Sequence, residues 1–85
     1  MKRVWKWTLD YSCYIPIPKG AQLLDVQEQR EEPQLWALVD PEAETVLRHF
    51  VIFGTDHTMP DDPGTYVGTY QLRSLDLVFH VFEVD

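Results

Sequence analysis

The pattern that runs through this chain from Val4 to Val84 is an alternation of period two. Turn residues interrupt it every ~8–12 residues. From Val4 to Leu9, Trp5, Trp7 and Leu9 share one face, and Val4, Lys6 and Thr8 share the other. The same alternation returns around Cys13, Ile15 and Ile17, and again in Tyr66–Leu72 and Leu77–Val84. No segment sustains the 3.6-residue period that lets a helix bury one stripe. Only residues 41–47 offer a short helix as an alternative to a strand start. A chain patterned this way is confined to an antiparallel all-β domain, a small sandwich or barrel of six to seven short strands.

Local chemistry assigns roles to several segments. Pro16 and Pro18 lack a donor N–H, so their strand is expected at a sheet edge or as an extended arm. Lys19-Gly20 reads as a turn, and Ala21–Gln29 as a strand in which the adjacent Leu23 and Leu24 mark a bulge. A polar tip at Gln29–Pro33 leads into Leu35–Val39, and Asp40-Pro41-Glu42 suits a type I turn. Thr45–Phe53 is the longest β-forming run, followed by an irregular loop from Gly54 to Thr65. Arg73-Ser74-Leu75-Asp76 makes a short hairpin connection between the last two strands. Leu35–Val39, Val46–Phe53 and Leu77–Val84 are apolar on both faces. A lone two-layer domain hides only one face of each sheet, so a homo-oligomer, dimer or tetramer, is expected.

Composition narrows the function classes. Residues 1–85 make one β domain near the lower end of what folds on its own core. Fourteen acidic residues against seven basic ones give a formal charge of −7, which argues against duplex nucleic acid as a partner. Cys13 is the only cysteine, so an internal disulfide and a Cys-based zinc site are excluded. The basic start Met1-Lys2-Arg3 is followed by no apolar signal core, and no apolar run approaches the ~20 residues of a membrane span. The expected location is the cytoplasm, with no membrane contact.

Two Gly-Thr pairs, fourteen residues apart, are the features most suggestive of a site: Gly54-Thr55-x-His57 and Gly68-Thr69-x-Gln71. Glycine permits close backbone approach, threonine adds a hydroxyl, and exposed N–H groups in such bends can hold an anion. Ordinary bulges or strand ends would read the same way. Arg48 and Arg73 are the cations nearest these pairs and could meet a phosphate or simply pair with a nearby acid. Most of the aromatics are expected in the core, with a few, Trp7 among the candidates, available to stack on a base. His49, His57 and His80 show no recognised ligand spacing, so neither a metal nor a cofactor is expected. No nucleophile with a partnered base can be read, so binding is favoured over turnover and the chain is expected not to be an enzyme.

The ordered set Trp5-Lys6-Trp7, Pro18-Lys19-Gly20-Ala21, Leu35-Trp36-Ala37-Leu38-Val39-Asp40-Pro41, Gly54-Thr55-x-His57, Gly68-Thr69-x-Gln71 and Phe79-His80-Val81-Phe82-Glu83 resembles a widespread family of short, uncharacterised bacteriophage proteins. The resemblance implies action in the infected bacterial cytoplasm. In size and style the chain is also similar to small phage counter-defence proteins that sequester the nucleotide signals of bacterial immunity. That likeness implies a non-enzymatic sponge for a cyclic-dinucleotide-like messenger. The alternatives are an acidic inhibitor that blocks a host defence protein directly, and a minor phage structural protein.

Overall fold

Seven strands run antiparallel through the computed structural model, which describes all 85 residues. They are β1 (Arg3–Thr8), β2 (Ser12–Pro18), β3 (Gln22–Gln29), β4 (Glu32–Val39), β5 (Thr45–Gly54), β6 (Thr65–Leu72) and β7 (Leu77–Val84). A three-stranded sheet, β1-β4-β3, packs against a four-stranded sheet, β2-β5-β7-β6. The expected small sandwich is therefore the fold. The helix alternative over 41–47 fails: residues 41–43 form a turn, and β5 starts at Thr45. The only helical turn is a 3-10 piece at Arg73–Leu75, inside the β6–β7 connection.

Local rules explain the boundaries. β2, with its two prolines, is an edge strand pairing only with β5. The β3–β4 register slips between Leu23 and Asp25, which leaves Leu24 as the bulge the sequence predicts. The β3–β4 hairpin turns on Arg30 and Glu31, both at positive φ (55° and 70°). That is the backbone of a two-residue type I′ turn, built here without glycine or asparagine. The Glu31 N–H donates to Glu28 Oε2 at 2.7 Å, which supports the turn.

The core follows the alternation. Ile17, Leu35, Val39, Phe50 and Val81 are fully buried between the sheets. Tyr70 stacks on Phe79 at 5.4 Å, and burial pushes its phenol pKa up to about 12, with Tyr11 adding to the effect. Among the tryptophans and tyrosines, only Tyr70 is buried. Trp5, Tyr11, Tyr14 and Tyr66 are exposed, which corrects the expectation that most aromatics lie in the core. Trp5 fails to be covered because β1 is itself an edge.

The most extensive contact between the sheets is made by β3 and β6. There, a Cβ on Gly68 would sit 3.0 Å from Val26 Cβ, so the sheets come together where residue 68 has no side chain. Gly64 has a stricter requirement. Its φ is +99°, and a Cβ would run into the carbonyl oxygen of Glu83 in β7. Gly64→Ala is expected to destabilise the protein by about 2–4 kcal/mol, through left-handed strain plus a backbone clash. Urea denaturation checks this, and an unchanged midpoint would contradict the role.

Candidate functional site

The inner face of the four-stranded sheet holds the core, so its chemistry toward solvent lies on the outer face. Register fixes who stands there. Cross-strand partners share a face, and the outward set runs Tyr14↔His49, Ser12↔Val51, Val51↔Phe82, Phe53↔His80, Tyr66↔Phe82 and Thr69↔His80. Aromatic contacts spread across it. Phe53 and Tyr66 meet Phe82 edge-on at 5.9 and 5.7 Å, and Tyr14 stacks on the His49 ring at 4.2 Å. The His49 Nε2 lies 2.9 Å from Ser12 Oγ.

On this face the threonines of the two Gly-Thr pairs meet on His80. Thr55 Oγ1 lies 2.8 Å from His80 Nε2, and Thr69 Oγ1 lies 3.0 Å from Nδ1. Tyr66 Oη is 2.6 Å from Thr69 Oγ1, while the Thr55 hydroxyl donates to the Val78 carbonyl at 3.2 Å. With the Thr55 proton placed on that carbonyl, Thr55 accepts from His80, and the imidazole is assigned as the Nε2–H tautomer. Nδ1 then accepts from the Thr69 hydroxyl, and Thr69 accepts from Tyr66. One directed chain, Tyr66 to Thr69 to His80 to Thr55 to Val78, thus ties β6 and the end of β5 to the central strand β7.

The other predicted site residues are dispersed. β5 and β6 are not neighbours, since β7 lies between them. Only Gly54-Thr55 stands at a strand end; Gly68-Thr69 lies inside β6, next to a bulge between Tyr66 and Gly68. Gly68 faces inward against Val26 rather than toward a ligand. Gly54 makes room for the His57 ring, which a Cβ would overlap. The Thr55 and His57 N–H groups already donate to Val78 and Gly54 carbonyls, so they form no anion-holding nest. Arg48 points inward. Its guanidinium grips Glu83 through Nε (2.6 Å) and Nη2 (2.7 Å) and reaches the Ala21 carbonyl at 3.1 Å. The hydrogen bond to Glu83 raises its pKa against the opposing pull of burial. Trp7 is half-buried against the core.

Two cavities bear on the predicted site residues, one between β3 and β6 and one beside the start of β7. Thr69, Gln71 and Arg73 line one of about 330 Å³, together with Asp25 and Glu28. Gly54, Thr55 and His57 line another of about 610 Å³, with Tyr11, Val78 and Phe79. No three His, Cys, Asp or Glu side chains gather where a metal ion could be held. His80 stands outside the predicted site residues, since its sequence context shows only a histidine without ligand spacing in an apolar strand.

The geometry defines a small all-β sandwich with an uncharged, aromatic outer face built around one histidine. Along its whole length, residues 1–85, the chain matches the model of a domain of unknown function, DUF7352, and it belongs to that family. No curated protein and no solved structure matches it significantly. No helix is long and apolar enough to cross a membrane.

Thr69→Val, which keeps shape and deletes the hydroxyl, is expected to cost about 1 kcal/mol of stability, the typical worth of one intramolecular hydrogen bond. In the wild type, long-range ¹H–¹⁵N spectra should show the neutral form of the His80 ring carrying its proton on Nε2. A proton on Nδ1 would break the chain as drawn.

Proposed function

We propose that this is a non-catalytic binding protein that engages another protein surface through the outer face of its four-stranded sheet. One observation carries the reading. The chain has fourteen acidic and seven basic residues, yet no Asp, Glu, Lys or Arg stands among the outward residues of that sheet's paired positions, from Ser12 and Tyr14 across to Thr69 and Gln71. Charge depletion with aromatic enrichment is the composition of an interface centre. Leu47, Tyr14 and Tyr66 on this face are exposed by 69%, 64% and 57%.

A second copy is the first occupant the face suits. Two chains of charge −7 repel wherever their acidic surfaces meet, and this face lets them touch without opposing carboxylates. The likeness in size and acidity to small phage inhibitors points to a host defence protein as the hetero-partner, in the cytoplasm of an infected cell.

A nucleotide-sequestering role is the second reading, supported by the gathering of Thr69, Gln71 and Arg73 around one cavity. Against it, a phosphate there meets Asp25 and Glu28 beside a single guanidinium, and Arg48 is committed to Glu83.

Sedimentation equilibrium over micromolar to submillimolar concentrations should give a mass above the 10.0 kDa of the single chain. Phe82→Glu, which places a charge outside the core, should return the mass to that of the monomer with little change in melting temperature. A monomer at every concentration overturns self-association. If calorimetry with cyclic dinucleotides then shows heat that Thr69→Val abolishes, the nucleotide reading replaces it.

A further inference from the structure

β1 and β2 are edge strands of the two sheets, and they differ in what they offer to a further strand. β2 carries Pro16 and Pro18, which have no N–H to give. β1 has no proline and pairs on one side only, with β4, so its other side presents free main-chain donors and acceptors.

Charge marks the same strand. Lys2, Arg3 and Lys6 are three of the seven basic residues of a strongly acidic chain. None of them has a carboxylate partner, because Arg48–Glu83 is the only ion pair in the protein. Lys6 Nζ instead donates to Gln29 Oε1 at 2.9 Å and sits 6.0 Å from the centre of the Trp36 ring. Apolar surface lies between the cations. Val4 is 56% exposed, and Trp5 is 37% exposed, edge-on to Trp7 at 6.3 Å.

We propose that the free edge of β1 accepts, by strand addition, an extended acidic segment of a partner protein, patterned acidic–apolar–apolar–acidic. Residues directly opposite on neighbouring strands share a face, so an added strand sets one side chain beside each of Arg3, Val4, Trp5 and Lys6. A carboxylate matches Arg3 directly and a second matches Lys6 once its ammonium swings back from Gln29, which lies beyond β4, and apolar side chains cover Val4 and Trp5. Main-chain hydrogen bonds supply affinity, and the side-chain pattern supplies selectivity. A second copy is a poor occupant, since β1 against β1 brings Lys2, Arg3 and Lys6 together with their own kind.

The test is a titration of the ¹⁵N-labelled protein, at low salt, with the capped peptide Thr-Glu-Val-Val-Glu-Thr. Saturable shifts are expected in the β1 and β4 amides and in the Trp5 indole N–H. The double variant Arg3→Glu/Lys6→Glu, altered only at exposed positions, should bind this peptide at least tenfold more weakly. The same variant should bind the charge-swapped peptide Thr-Lys-Val-Val-Lys-Thr instead. Any of three results overturns the proposal: no shift at millimolar peptide, shifts confined to β5, β6 and β7, or binding indifferent to charge reversal. Shifts of the β1 amides that grow with protein concentration in the absence of peptide would identify a second copy as the occupant, and would equally overturn it.

Discussion

The sandwich closes where β3 and β6 press together, and that contact depends on residue 68 having no side chain opposite Val26. Both strands are bulged next to it, β3 between Leu23 and Asp25 and β6 between Tyr66 and Gly68. Bulges sharpen local twist and bend a strand. Two of them on either side of one narrow contact let each sheet lean toward the other at this flank. With the sheets so joined, Phe50, Ile17, Leu35 and Val81 are sealed between them. Every outward position then belongs to solvent or to a partner.

The division between inner and outer faces extends to charge. The one ion pair, Arg48 with Glu83, sits on the inner side of the four-stranded sheet, where it joins β5 to β7 and reaches the Ala21 carbonyl. Both side chains keep about a fifth of their surface in water (22% and 20%). A pair that wet adds little net stability, and its bidentate geometry acts mainly to fix register and direction. The outer side of the same strands carries hydroxyls, imidazoles and aromatic rings instead. The hydrogen bonds of His80 with Thr55 and Thr69 tie β5, β6 and β7 together on that side, and aromatic side chains, with few rotatable bonds, lose little entropy when they are covered.

The legible parts of the fold were those decided by neighbours in sequence. Pro16 and Pro18 declared an edge because the missing donor is a local property. The Leu23-Leu24 doublet declared a bulge because alternation counts residues one by one. The Arg73–Asp76 connection was equally readable, and it held more than was taken from it. A hairpin with Leu72 opposite Leu77 places Thr69 opposite His80, so half of the central hydrogen-bond chain was implicit in the loop length. The other half was not. Thr55 reaches His80 only because β7 inserts between β5 and β6, a pairing order that no local pattern dictates. Gly68 was misread for a related reason. Alternation says which face a glycine serves, but not that Val26 of the other sheet lies across from it. Arg48 looked available because its partner, Glu83, stands thirty-five positions away in sequence.

The claim on which the rest turns is that the uncharged outer face around His80 is a contact surface. Amide chemical shifts of the free protein, followed from dilute to concentrated solution, test it residue by residue. The expected result is concentration-dependent movement at Val51, Phe53, Thr69, His80 and Phe82, with the β4 amides of the other sheet unmoved. Movement confined to β1, β3 and β4, or none at submillimolar protein, would contradict it.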